Sequence, residues 1–314
     1  MKVVICGLWH VHAEEYYREA AKHTEVIGVW DVETTWRKQF SEKYDLHEFE
    51  TFEDLLTSGA DAAIVCTSTN IHADIMVKLA DAGMDIFTEK VLALTTAECE
   101  AVEDAVQRNG VKFAISYPHK YGAGAQTVKK VVESGELGKI NYYRCRNAHD
   151  GSTGNWLPPH FYNKEECGGG AMIDLGAHGM YLAEWLLGMP VEANSTFTLA
   201  CSNPATAEKN TDRVEDNAVT VMRYADGAIA INETGFVSCG SPLTLEVGGE
   251  LGWVRFNGKT VEKYTKAAGS VEEVPMADAL PSPITQFCTG KLLDGCGMRE
   301  AKNLTKLMEM AYGR

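Results

Sequence analysis

The feature that most restricts how this chain can fold is the alternation filling roughly its first 115 residues. Short apolar runs at residues 2–6, 26–30, 62–66, 85–88 and 112–116 are separated by helical stretches at 13–22, 36–44, 52–58, 75–82 and 96–108. Continuous apolar runs of this length suit strands buried on both faces, and strands joined through helices run parallel because a parallel pair needs a crossover. The expectation is an α/β fold: an N-terminal Rossmann doubly wound parallel sheet. At 314 residues the chain exceeds the usual single-core domain, so a second domain should follow.

In such sheets ligands bind beyond the carboxyl ends of the strands, which lines Gly7, Asp31, Thr67, Asn70, Lys90 and Tyr117 along one edge. The opening segment reads strand, turn, helix, strand, acid, with 24 residues from Gly7 to Asp31. That order fits the first β-α-β of a dinucleotide site, where pyrophosphate meets a helix N-terminus and an acid accepts hydrogen bonds from the adenosine ribose. In G-x-G-x-x-G register only Gly7 is present, and Trp9 and His12 occupy the other two glycine positions. Phosphate or substrate contact suits His10 and His12 better than metal binding, since no partner with ligand spacing stands near them in the sequence. A purely structural role stays open for both.

After Tyr117 the character changes. A helix at 122–134 leads through a glycine-rich turn to a strand at 140–146, and strands are expected at 192–200, 217–224, 228–234, 243–247 and 252–256. Hairpin turns such as Ala225-Asp226-Gly227 and Asn257-Gly258 imply mostly antiparallel pairing, and residues 300–312 close the chain as a helix. The expected division is a dinucleotide-binding domain at 1–118 and an α+β domain with a mostly antiparallel open sheet at 119–314. One face of that sheet would be exposed in a monomer, so a homodimer or homotetramer through it is expected.

Within the second domain the stretch from Gly168-Gly169-Gly170 to Tyr181 is the densest in chemistry. Read as a helix after the glycines, it sets Asp174, His178, Tyr181 and Trp185 on one face, and Met172, Leu175, Gly179, Leu182 and Leu186 on another that can be buried. A carboxylate and an imidazole one turn apart make an acid–base pair, because histidine exchanges protons near neutral pH and a carboxylate can orient it. A satisfied structural Asp–His pair is the plainer alternative.

Composition removes several function classes. A net charge of −15 argues against a nucleic-acid partner, which needs clustered Lys and Arg. No apolar run reaches membrane-spanning length, and Val3-Val4-Ile5-Cys6 is too short for a signal-peptide core. Nine scattered cysteines without a C-x-x-C pair suit a reducing, cytoplasmic setting.

These residues together resemble the Gfo/Idh/MocA family of NAD(P)-dependent sugar and cyclitol oxidoreductases. Glu89-Lys90-Val91 stands where that family has Glu-Lys-Pro, Thr67–His72 resembles its strand-end cofactor loop, and residues 168–178 resemble its G-G-G-x-x-x-D-x-G-x-H signature. Val214-Glu215-Asp216-Asn217-Ala218 and Ala311-Tyr312 also fit. The resemblance implies that Lys90 contacts the substrate hydroxyl and nicotinamide, Asp174 binds substrate and His178 exchanges the proton. It implies NAD, or NADP, held by the turn Gly7, Leu8, Trp9, His10 and His12, by Asp31, by Thr67, Ser68, Asn70 and His72, and by Glu89 with Lys90. Asp31 leans towards NAD, while Arg37 leaves NADP open. No metal is implied, since hydride transfer needs none.

Tyr117 and His119 lie where the family often carries Asn-Arg-Arg-Phe, and the loop 149–167 supplies Trp156, His160 and Tyr162 just before the acid–base helix. Aromatic faces beside polar groups suit a small polyhydroxylated substrate. The expected activity is hydride transfer between NAD(P) and a secondary hydroxyl of a sugar, sugar acid, cyclitol or glycoside. The alternative is a cofactor-binding sensor of the same fold without turnover, which the altered glycine motif favours and the joint presence of Lys90, Asp174 and His178 opposes.

Overall fold

Six strands pair in parallel in the order β3-β2-β1-β4-β5-β6, the parallel sheet expected from the opening alternation with β3 added to the five expected strands. The computed structural model describes residues 1–201, 213–240, 242–292 and 294–314. The strands are Lys2–Cys6 (β1), Glu25–Trp30 (β2), His47–Glu48 (β3), Ala62–Val65 (β4), Asp85–Thr88 (β5) and Phe113–Ile115 (β6). Every residue of β4 is buried, as a central strand covered on both faces requires, and the edge strand β6 is buried as well. Helices Ala13–Ala20 (α1), Thr34–Tyr44 (α2), Phe52–Leu56 (α3), His72–Asp81 (α4) and Thr96–Asn109 (α5) supply the crossovers. Local chemistry sets their ends. Thr51 with Asp54 and Thr95 with Glu98 form reciprocal capping boxes, and Gly110 in the left-handed region stops α5.

The chain divides into two compact units, one of Met1–Ser116 with Pro281–Thr305 and one of Tyr117–Leu280 with Lys306–Arg314. The late return to the first unit departs from a split into 1–118 and 119–314. Residues of helix Pro283–Thr289 (α10) pack there, with the Thr285 hydroxyl donating to Glu19 at 2.8 Å. Nothing local in the sequence marks this packing.

The second unit holds Pro118–Tyr121 (α6), Ala123–Glu133 (α7), Lys164–Cys167 (α8), Ala177–Leu187 (α9) and an eight-stranded sheet. Its strands are Ile140–Ala148 (β7), Glu192–Thr198 (β8), Asn217–Arg223 (β9), Ile229–Gly235 (β10), Thr244–Gly249 (β11), Gly252–Phe256 (β12), Val261–Thr265 (β13) and Val271–Val274 (β14). All pairings are antiparallel except β7 with β10. Strands β13 and β14 extend the sheet beyond the expected set. Met298–Tyr312 (α11) is the closing helix. Among the described residues no helix is long and apolar enough to cross a membrane.

Candidate active site

The strand ends of the first unit gather most of the residues expected to hold a dinucleotide. Gly7 follows β1 at φ +95°, and a Cβ there would lie 2.4 Å from the Thr67 nitrogen, so only glycine lets the loops after β1 and β4 approach this closely. Both Asp31 oxygens are used on this edge, accepting the Leu8 N–H at 2.5 Å and the Glu33 N–H at 2.6 Å. Burial pushes its carboxyl up from the ordinary value, against the pull of those two donors. Arg37 is also buried. It pairs with Glu48 at 2.8 Å and donates to the carbonyls of Asp31 and Glu50.

Thr67 is buried, and among the described residues its hydroxyl has no hydrogen-bond partner. A buried hydroxyl left in this state is costly unless a bound group completes it. Ser68 donates to Asn70 Oδ1 at 2.7 Å and fixes the short turn that precedes α4. His72 differs from its expected role. It is buried with Nε2 at 2.9 Å from the Thr67 carbonyl and Nδ1 at 3.1 Å from the Val91 carbonyl, so it ties two loops together instead of lining the edge.

Glu89, just after β5, sits at the centre of a buried cluster. Its Oε1 accepts from the Tyr16 hydroxyl and lies 2.7 Å from His12 Nδ1 and 3.5 Å from His10 Nδ1. Its Oε2 accepts the Lys90 N–H at 2.9 Å. Burial alone would push this carboxyl up; the charges of His10, His12 and Lys90 outweigh it and hold Glu89 well below the usual range. The carboxylate partner absent from the sequence neighbourhood of the two histidines thus arrives from 77 residues away. The three ligand-type atoms lie within 4.8 Å of one another, close enough to hold a cation. The carboxylate is already satisfied by Tyr16, His12 and a backbone N–H, so an ion-paired network accounts for it without one. Lys90 follows, 6% exposed, and its peptide bond to Val91 is cis.

In the second unit the glycine run has a steric cause. A Cβ on Gly169 would lie 2.2 Å from the Tyr312 hydroxyl, and one on Gly170 would lie 2.0 Å from the Glu215 carbonyl oxygen. Glu215 Oε1 in turn accepts from the N–H groups of Gly170 and Met172 at 3.0 Å and from the Tyr312 hydroxyl at 2.6 Å. The carboxylate serves the first turn of the helix, where N–H groups have no partner within the helix and the dipole favours negative charge. Three separated motif pieces, the glycines, Glu215 and Tyr312, are therefore one cap.

Residues Met172–Gly176 are π-helical, not α-helical as expected, and α9 continues from Ala177. The sheet beneath supplies donors to this segment. Thr234 donates to the Ala171 carbonyl, Asn147 to Leu175, Asn232 to Gly176 at 2.8 Å and Tyr143 to Gly179 at 2.7 Å. Carbonyls disturbed by a π-turn need outside partners, and π-turns occur often at functional sites. The changed register also alters the buried face: Ile173 and Met180 are buried while Leu175 is half-buried.

His178 is 6% exposed, and its Nδ1 lies 2.9 Å from the Tyr181 hydroxyl. The Tyr181 hydroxyl is thus a partner of Nδ1. Asp174 is half-buried, one turn before His178. The His119 ring meets His178 edge-on at 4.6 Å, and Tyr117 stacks on Tyr181 at 4.3 Å. Buried Lys120 reaches over both tyrosine rings, 3.9 Å from Glu184. Tyr117, His119 and Lys120 therefore pack against the helix that carries His178 and Tyr181, and Lys120 was not among the candidates in the sequence.

The loop before the helix divides its expected residues. Trp156 is 53% exposed, with its indole N–H on Asp150 at 3.0 Å and its ring against His149. Tyr162 is buried, its hydroxyl 2.7 Å from Ser152 Oγ and its ring under Arg213, so it holds the loop together. His160 packs beside Phe161 at 5.2 Å.

A parallel doubly wound sheet in one unit, and a helix carrying His178 on a mixed sheet in the other, make up the architecture of the described residues. The chain belongs to the Gfo/Idh/MocA family: residues 1–117 match the family's "oxidoreductase family, NAD-binding Rossmann fold" and residues 125–255 its C-terminal domain. Scyllo-inositol 2-dehydrogenase (NAD(+)) of Bacillus subtilis is 30% identical over 187 residues, covering 60% of this chain and 51% of that protein. The chain thus spans about half the length of this curated relative. D-glucoside 3-dehydrogenase of Escherichia coli is 26% identical over 252 residues, 75% of this chain and 70% of that one. The fold matches aldose-aldose oxidoreductase of Caulobacter crescentus with a TM-score of 0.82 at 21% identity, over 100% of this chain and 96% of that one.

Proposed function

We propose that this protein is an NAD-dependent oxidoreductase acting on the secondary hydroxyl, or the matching ketone, of a sugar, sugar acid, cyclitol or glycoside. The observation that carries the reading is the fixed imidazole of His178 on the helix after the glycine run, since a protein that only senses a dinucleotide has no use for it. The family's NAD-binding domain and the inositol and glucoside named for two relatives support the cofactor and substrate class.

The cradle fits a dinucleotide. Gly7 leaves room for close approach, Thr67 offers an uncompleted hydroxyl, and His12 stands at the start of α1. Arg37 is committed to Glu48 and two carbonyls, which removes it as a partner for a 2′-phosphate and favours NAD over NADP. NAD, when bound, accepts the hydride. The alcohol must also lose its hydroxyl proton, and His178 takes it at Nε2 while the Lys90 ammonium favours the developing alkoxide. Asp174 orients a substrate hydroxyl, and Trp156 offers an exposed face to the C–H side of a ring. Nine scattered cysteines, seven of them buried, support a reducing compartment such as the cytoplasm.

Titrating the purified protein with NAD and with NADP, read by quenching of tryptophan fluorescence, tests the cofactor half. NAD should bind at least tenfold more tightly. Equal or tighter NADP binding would contradict the role given to Arg37, and binding of neither would move the reading to a regulatory protein. Lys90→Ala and His178→Ala should each abolish turnover while keeping NAD affinity within a few-fold, and full activity in either variant removes that residue from the mechanism.

A further inference from the structure

We propose that Tyr181 is a positioning residue for His178, supporting its charged form through Nδ1 and so setting the pH at which it exchanges protons. The proposal rests on the acid–base role given to His178 above and goes beyond it by identifying what holds the ring. Four contacts fix the tyrosine. Its ring stacks on Tyr117 at 4.3 Å and 27°, Lys120 Nζ lies 5.7 Å from its centroid, its oxygen accepts the His119 N–H at 3.1 Å, and its hydroxyl meets His178 Nδ1 at 2.9 Å. A phenol placed this firmly directs the imidazole more closely than a solvent-facing side chain can.

The hydrogen-bond inventory shows what the contact does. The His119 N–H can only donate, so it takes one lone pair of the Tyr181 oxygen. The contact with His178 then uses the other lone pair or the hydroxyl hydrogen. When His178 gains a proton at Nε2, its Nδ1–H is obligatory and the phenol oxygen accepts it. When the ring is neutral, the same oxygen can still accept Nδ1–H, which leaves Nε2 as the basic nitrogen, or the hydroxyl can turn and donate to Nδ1. A hydrogen bond from a charged donor is the stronger, so the contact favours the imidazolium. The support is weaker than a carboxylate's, because the phenol is neutral and buried Lys120 draws on the same ring. The consequence is a base that is steered without being locked in its charged state.

Other titratable groups face this pair. Asp174 and Glu184 lie on its own helical segment, His119 and Lys120 on α6, Tyr117 just before it, and Tyr143 and Cys145 on β7 beneath. Tyr181→Phe keeps a ring for Tyr117 and Lys120 and removes the hydroxyl, which also takes the acceptor from the His119 N–H.

The test is an NMR titration of histidine ring carbons in wild type and Tyr181→Phe, with His178 assigned from His178→Gln. The pKa of His178 should fall by about one unit in Tyr181→Phe, in line with loss of a hydrogen bond to a charged group. In turnover the acid limb of kcat for alcohol oxidation should move to lower pH by a similar amount, with kcat reduced roughly tenfold and KM within about twofold. An unmoved titration and an unmoved pH profile would reduce Tyr181 to a space-filling residue and overturn the proposal. If no alcohol is oxidised, the proposed function fails, yet the NMR shift still decides whether Tyr181 governs His178.

Discussion

The most informative single residue in the first unit is Glu89, a buried carboxylate held ionised by two imidazoles and the adjacent lysine. A carboxyl held below its ordinary value stabilises the fold at pH above that value, near 4.5, and the stabilisation is lost as pH falls further. Glu89→Gln should therefore melt less steeply with acid than wild type below about pH 4.5 in a series of thermal melts. At neutral pH it should be less stable by about 3–5 kcal/mol, because the imidazoles of buried His10 and half-buried His12 lose their counter-charge. Parallel pH dependences for the two proteins would show that Glu89 is not ionised in the fold. Lys90, Asp174 and His178 stand out in the sequence as candidates because each sits in a short motif. The Glu89 partners were not legible, since His12 lies 77 residues away. Tyr181 was legible as a neighbour of His178 on one helix face, but side-chain spacing alone does not say which residue holds the imidazole nitrogen.

At the scale of elements, the helix after the glycine run depends on the sheet below it. Asn232 completes the Gly176 carbonyl, and a Cβ on Gly179 would lie 1.9 Å from the Asn232 side-chain oxygen. Asn232→Ala should leave that carbonyl unsatisfied and cost about 1–3 kcal/mol in denaturant unfolding. It should also lower kcat, as the π-turn relaxes and His178 shifts. A stable variant with full activity would show that the turn needs no such support. The π-turn could not be read locally because its partners come from β7 and β10, far along the chain. The alternating strands of the first unit could be read, since full burial writes itself as uninterrupted apolar runs. Strands β13 and β14 could not, because sequences such as Val271-Glu272-Glu273-Val274 have little that separates an exposed strand from a loop.

For the whole molecule, two compact units follow from length and composition, while the return of Pro281–Thr305 to the first does not, because its packing leaves no local pattern. The second-unit sheet keeps an apolar patch on its outer face, with Val219, Val221 and Ile229 each at least 40% exposed. We expect this face to join copies of the chain, as a homodimer or homotetramer. The double variant Val219→Glu with Val221→Glu should run at monomer mass in light scattering, and an unchanged mass would place the contact elsewhere. The central claim is that the protein moves a hydride between NAD and a secondary hydroxyl. Its most direct test is the appearance of reduced-nicotinamide absorbance when the protein, with NAD, is offered a panel of inositols, aldoses, sugar acids and glucosides. The account predicts absorbance growth with at least one of them, abolished in His178→Ala although that variant still binds NAD. NAD binding with no growth on any member of the panel, or growth undiminished in His178→Ala, would contradict it.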